Sequence, residues 1–251
     1  MSDFSIGIIG GTGGIGQWFA DFLVREGYAV HVAGRKTGLP AAELAALCRI
    51  IVVAVPIAAT IAVIGKVGPH LSADSLLMDL TSLKEESVRA MLAATSAEVI
   101  GCHPLFGPDV SSLHDNNIIL CPGRGESWLS FLRGLFEARG ARVTITSPAE
   151  HDRMMSLIQG LTHFNTILME LALRDSDRKQ SELEPFSTPI FRAKQALGAR
   201  VFGANADLYA AILTKNPHIM QVIECYEKNL SLVKGLIAER NTVALAELLR
   251  K

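Results

Sequence analysis

Apolar residues follow two rhythms along this chain. Up to about Ser147, short and largely apolar runs, continuously so at 50–55, alternate with stretches of helical period; beyond it, almost every stretch has the helical period. The runs at 4–9, 28–33, 50–55, 76–79, 98–102, 117–121 and 142–145 read as strands. Between them, 15–26, 41–47, 57–67, 83–94 and 127–139 read as helices. Ser147-Pro148-Ala149-Glu150 sets an N-cap, a proline at the first helical position and a capping-box glutamate in a row, so a helix starts there. Helices are expected from 148 to about 173, over 189–201, 206–213 and 218–237, with a last short one near the C-terminus.

The first strand runs directly into Gly10-Gly-Thr-Gly-Gly-Ile-Gly16. Gly11, Gly13 and Gly16 satisfy G-x-G-x-x-G, with Thr12, Gly14 and Ile15 between them. Gly11 permits the tight turn, Gly13 lets backbone approach a pyrophosphate, and Gly16 lets helix pack on strand. The N-terminus of the following helix offers amide donors and a positive dipole end to phosphates. A ligand-free glycine turn is the alternative, but the motif has a strand before it, a helix after it and a second strand at the right distance. Val55 and Pro56, ending the third strand, complete the candidate cofactor-binding residues. The expected architecture is α/β: a Rossmann-type dinucleotide-binding domain over 1–147, then an all-helical domain over 148–251.

The end of the second strand bears on the choice of dinucleotide. A reader of the ribose 2′-hydroxyl would be Asp or Glu about 20 residues past the glycine loop. The residues there are Gly34-Arg35-Lys36, with no carboxylate. Gly34 leaves room for a phosphate, Arg35 can bracket it and Lys36 adds a second cation, so NADP is expected over NAD. Two solvated loop cations are the alternative.

Composition narrows the class. Apolar residues are 49% and charged residues 20%, which fits a soluble globular protein with a substantial core. A net charge of -1 suggests neither a nucleic-acid nor a membrane surface. The longest uncharged run, 50–65, is short for a membrane span and is broken by Pro56 and Thr60. Cys48, Cys102, Cys121 and Cys225 have no metal-ligand or redox spacing. They read as reduced core thiols in a cytoplasmic protein, and no metal is expected. The N-terminus shows no signal-peptide pattern.

Proton chemistry is concentrated at 101–110, Gly-Cys-His-Pro-Leu-Phe-Gly-Pro-Asp-Val. It reads as a stiff turn leaving the end of a strand, with His103 titratable near neutral pH. Ser82 and Glu85 have capping-box spacing, so Ser82 is a helix cap, a catalytic hydroxyl or both. In the second half His163, Arg192, Arg200 and Tyr209 interrupt apolar helices. Arg192 and Arg200, eight residues apart, fall within about a quadrant of one helix face and with His163 make a candidate dianion receptor; two surface arginines, a core-satisfied histidine and an interface tyrosine are the alternative.

Taken together, these segments resemble the prephenate dehydrogenases of tyrosine biosynthesis, a family that includes arogenate dehydrogenases. The resemblance runs over nearly the whole chain. It rests on the glycine loop, Asp79-Leu-Thr-Ser-Leu-Lys84, His103-Pro-Leu-Phe-Gly-Pro-Asp109, Glu150-His-Asp-Arg-Met-Met155, Ile158-Gln-Gly-Leu-Thr-His163, Ser187-Thr-Pro-Ile-Phe-Arg192 and Asp207-Leu-Tyr209. The resemblance implies a helical domain that forms a homodimer. It implies oxidative decarboxylation of a cyclohexadienol to 4-hydroxyphenylpyruvate, with hydride passing to a nicotinamide. By matching positions, His103 would accept the ring hydroxyl's proton and Ser82 would orient that histidine and the hydroxyl. Arg200 would bind a substrate carboxylate and His163 would lie near the substrate side chain; Arg192 and Tyr209 match family positions without a fixed role. The chain ends soon after the helical half, so neither a regulatory domain nor a fused mutase is expected, and any tyrosine inhibition would act in the active site.

Three alternatives stay open. Arogenate dehydrogenase differs only in an aminoacyl side chain on the substrate. A deazaflavin-dependent oxidoreductase would also suit the glycine loop, though not the His103 segment and the arginines. A nucleotide-sensing regulator would keep the loop and have no need of Ser82, His103 and Arg200 together.

Overall fold

The computed structural model describes residues 4–34, 37, 39–203 and 205–250. They fall in two compact units, Met1–Asp152 and Arg153–Lys251. The strands of the first unit are β1 (Ser5–Ile9), β2 (Ala29–Ala33), β3 (Ile50–Val53), β4 (Leu76–Asp79), β5 (Glu98–Pro104), β6 (Asn117–Arg124) and β7 (Arg142–Ile145). They pair into one sheet in the order β2-β1-β3-β4-β5-β6-β7. Every pairing is parallel except β5 with β6, which is antiparallel. All residues of β3 and β4 are buried, as strands covered on both faces require, whereas the edge strand β2 is mostly part-exposed.

The helices of this unit are α1 (Gly14–Arg25), α2 (Ala41–Leu47), α3 (Ile57–Val67), α4 (Glu85–Ala94) and α5 (Ser127–Glu137), followed by α6 (Pro148–Met155), which crosses the division between the units. Helix α1 buries Trp18, Phe19, Phe22 and Leu23. Trp18 stacks on Phe22 at 5.6 Å between ring centroids, and Phe19 meets Phe136 of α5 edge-on at 6.1 Å. Each of these side chains contributes about 2 kcal/mol by leaving water, so α1 is anchored by its apolar face. Ser147 Oγ accepts from the Glu150 amide at 3.2 Å, the expected N-cap of α6.

The second unit consists of helices: α7 (Leu161–Arg174), α8 (Gln180–Leu183), α9 (Pro189–Val201), α10 (Ala206–Lys215), α11 (Ile219–Ala238) and α12 (Thr242–Leu249). The expected α/β-then-helical layout is therefore the observed one. Helix α9 starts where Pro189 predicts, with Thr188 Oγ1 accepting from the Phe191 amide at 3.2 Å. The single helix expected from 148 to about 173 is instead interrupted by a π-helical turn over Ser156–Gly160. A Cβ at Gly160 would collide with Ile219, so the widened turn is where α11 packs closely. Met220, Leu230 and Ile237 of α11, and Val243 and Leu249 of α12, remain exposed.

Two further expectations change. His103 lies inside β5, opposite Ile119 of β6, not in a loop beyond the strand. The antiparallel partner β6 extends β5 past Cys102, and that pairing could not be read from the local proline-rich sequence. Cys48, Cys102 and Cys121 are buried, but Cys225 is exposed and is no core thiol.

Candidate functional site

The glycine loop sits between β1 and α1. Gly10 has φ +89°, and a Cβ there would strike the Ala54 carbonyl. A Cβ on Gly16 would lie 2.5 Å from the Gly10 carbonyl oxygen, so Gly16 does let α1 close on the strand end. Val55, between β3 and α3, lies against the Gly10 position, and Pro56 is the N-cap of α3. Around Gly13 and Gly14 the situation is opposite: a Cβ on either would meet nothing within 4 Å. Thr12 lies beside Gly34 at the end of β2. Helix α1 has no side-chain cap and no acidic residue in its first turn. A bare helix N-terminus beside an open glycine cradle fits a dinucleotide pyrophosphate. Gly11 to Gly16 would hold it. Arg35 and Lys36 lie outside the described residues.

The second feature is a buried polar cluster where β4, β5, α4 and α6 meet. His103 on β5 is 3% exposed. Its Nδ1 lies 2.9 Å from Nε2 of His151. His151 Nδ1 lies 2.7 Å from Oδ1 of Asp152. The same carboxylate accepts the backbone amides of Lys84 (2.8 Å) and Glu85 (2.9 Å), the first turn of α4. Asp152 is thus the cap of this helix, and the capping box expected from Ser82 and Glu85 does not form. A carboxylate outcompetes a hydroxyl here because it accepts both amides at once and opposes the helix dipole.

Lys84 is fully buried. Its ammonium pairs with Asp79 at the end of β4 and donates to the Cys102 carbonyl at 3.1 Å. Thr81 donates its amide to the same Asp79 carboxylate at 3.0 Å. Asp79 Oδ1 has no partner among the described residues. The cation sits one residue from His103 along β5. Burial first, and then repulsion from the neighbouring His151 ring and the Lys84 ammonium, hold His103 well below the usual imidazole pKa. The neutral form of the ring is therefore favoured. Burial pushes the Cys121 thiol up to about 12 and Cys102 higher still, so neither supplies a thiolate.

Ser82 is half-buried between β4 and α4. Among the described residues it makes no hydrogen bond to His103, whose ring nitrogen instead meets His151. The sequence alone gives His151, Asp152 and Lys84 no role beyond membership of the motifs they lie in. The consecutive His-Asp pair in the helix begun by Pro148 is the available signal, but nothing local says it faces a strand's histidine.

In the helical unit, His163 of α7 meets Tyr209 of α10 edge-on at 4.7 Å. Burial lowers the His163 pKa, so it too is neutral. One helical turn earlier, Gln159 Oε1 is buried without a hydrogen-bond partner among the described residues. Arg192 and Arg200 share α9 and are both exposed. Arg192 lies 3.3 Å from Glu184, while Arg200 has no carboxylate partner among the described residues.

Known proteins agree with this layout. The family model for "Prephenate dehydrogenase, nucleotide-binding domain" matches residues 26–145, and that for "Prephenate dehydrogenase, dimerization domain" matches residues 147–251. The chain is 32% identical over 269 aligned positions to a probable arogenate/prephenate dehydrogenase of Methanocaldococcus jannaschii, covering 100% of this chain and 60% of that protein. It is 34% identical over 217 positions to the T-protein of Haemophilus influenzae, covering 86% of this chain and 58% of that one. The chain therefore spans about 60% of the length of these curated relatives. The crystal structure of prephenate dehydrogenase from Aquifex aeolicus with hydroxyphenyl propionate and NAD+ has the same fold: TM-score 0.81, 20% identity, covering 100% of this chain and 96% of that one.

Proposed function

The chain belongs to the prephenate dehydrogenase family, and from that premise we propose that it carries out the NADP-dependent oxidative decarboxylation of prephenate to 4-hydroxyphenylpyruvate in tyrosine biosynthesis. The observation that carries the reading is His103: a buried imidazole, its neutral form favoured, with one ring nitrogen engaged by His151 and the other without a hydrogen bond among the described residues. The dinucleotide, when bound, supplies the acceptor for the hydride that leaves the hydroxyl-bearing ring carbon. His103 Nε2 takes the proton of that hydroxyl, so the C–O bond can become a carbonyl. Loss of carbon dioxide then delivers the C–C electron pair into the ring, and the phenolate oxygen takes the proton back from His103. Because aromatisation drives the second stage, the protein's task is alignment and the transfer of one proton.

Ser82 is proposed to hold the ring hydroxyl, and Arg200 to bind a substrate carboxylate by a charge-assisted bond. His163 with Tyr209 is proposed to face the substrate side chain. Arg192, paired with Glu184, is a weaker candidate for the same duty. NADP preference rests on Gly34-Arg35-Lys36 after β2, where a carboxylate reader is missing. A homodimer through the helical unit is supported by the apolar residues that α11 and α12 leave exposed. No helix among the described residues is long and apolar enough to cross a membrane; a cytoplasmic location is proposed from the buried free thiols.

The test is reduction of NADP, and separately of NAD, by the purified protein offered prephenate or arogenate. Turnover on prephenate with NADP supports the whole reading. Turnover on arogenate alone keeps the chemistry and changes the substrate. Faster turnover with NAD removes the role given to Arg35.

A further inference from the structure

We infer that His151 and Asp152 are positioning residues that fix the tautomer of His103, so that its Nε2 carries the free lone pair. The inference deepens the reaction proposed above and concerns two residues to which that reaction gives no role. Asp152 is the fixed end of the chain of bonds. Both its oxygens accept from backbone N–H groups of Lys84 and Glu85, which can only donate. A carboxylate held in this way accepts from the ring nitrogen beside it, so His151 Nδ1 bears the hydrogen and donates to Oδ1 at 2.7 Å. In the neutral ring that this assignment takes for His151, the other nitrogen is then an acceptor. His151 Nε2 therefore accepts at 2.9 Å, and the donor is the Nδ1–H of His103. That leaves His103 Nε2 unprotonated, the form a general base needs.

Three features support a built relay rather than a chance contact. All three side chains are buried, so water does not compete for the bonds. The carboxylate is clamped by α4, so its orientation follows from the fold and not from side-chain rotamer choice. Lys84, whose amide caps onto Asp152, sends its ammonium to the carbonyl of Cys102 next to His103, and its charge opposes protonation of that ring at rest. When His103 takes a proton in the reaction, the imidazolium can lean on His151 and, through it, on the Asp152 carboxylate.

The test begins without substrate. In protein labelled with 15N at histidine, two-bond nitrogen–proton spectra separate the two neutral tautomers. Signals of His103 and His151 are assigned by their loss in His103→Asn and His151→Phe. Both residues are expected as the Nδ1–H form. His103 found as the Nε2–H form in the wild type overturns the inference, whatever the variants do. His151→Phe keeps an aromatic ring and removes the acceptor, so kcat should fall about tenfold or more while KM moves less than about threefold. His151→Gln returns a carbonyl acceptor and should recover part of the loss. An unchanged kcat in a folded His151→Phe protein, judged by its thermal midpoint, also overturns the inference. Absence of turnover in the wild type on prephenate and arogenate would instead sink the proposed reaction and leave the tautomer result standing on its own.

Discussion

The amide of Lys84 donates to Oδ1 of Asp152 over 2.8 Å, although 68 residues separate them in the chain. This bond, with its neighbour from Glu85, ties the start of α4 to the middle of α6 and so fixes the corner in which His103 sits. Asp152→Ala would orphan two amides in a part-buried corner and leave the helix dipole uncapped. The expected cost is about 3 kcal/mol in urea unfolding. An unchanged midpoint would mean that the cap is replaced by water at no cost.

Acid should weaken the fold through His103. Its folded pKa is held well below the value of about 6.5 that it has when unfolded. Between those two values the unfolded chain binds more protons than the folded one. The stabilisation is therefore complete above the unfolded pKa and is lost as pH falls through the window toward the folded pKa. The groups around the ring are His151 and Asp152 on α6, Lys84 before α4 and Asp79 on β4. Unfolding free energy measured against pH should slope downward below about 6.5, and less steeply in His103→Asn. The acid limb of kcat should likewise lie below the ordinary imidazole pKa.

Two glycines of the loop should separate fold from cofactor. Gly16→Ala forces a Cβ to 2.5 Å from the Gly10 carbonyl, so the thermal midpoint should drop. Gly13→Ala meets no protein atom within 4 Å, so the midpoint should hold. Dinucleotide affinity should nevertheless fall about tenfold or more, because the methyl enters the space proposed for the pyrophosphate. Calorimetry and equilibrium titration read the two effects independently.

Arg200→Ala should raise KM for prephenate about tenfold or more with a smaller change in kcat, since a carboxylate is held throughout the reaction. A KM that stays put would place the carboxylate elsewhere, with Arg192 the first alternative.

Local pattern carried the architecture well. The wholly apolar β3, the buried β4, the proline-started α9 and the glycine loop before α1 are all decided by neighbours in sequence. What could not be read locally was what crosses the chain. Asp152 outbids Ser82 for the cap of α4 from 67 residues away or more. The pairing with β6 pulls His103 into a strand despite Pro104, and Ile219 packs where α6 widens into a π turn. The orienting partner of His103 belongs to the same class: the His-Asp pair is visible in sequence, but its target is a matter of tertiary packing.

The most direct test of the account is the turnover of His103→Asn on prephenate, set beside the wild type at saturating dinucleotide. Asparagine keeps the site polar and supplies no base. The account predicts kcat lower by about a hundredfold or more, with KM and dinucleotide affinity largely kept. An undiminished kcat would contradict it, because the buried imidazole on β5 would then have no part in moving the proton.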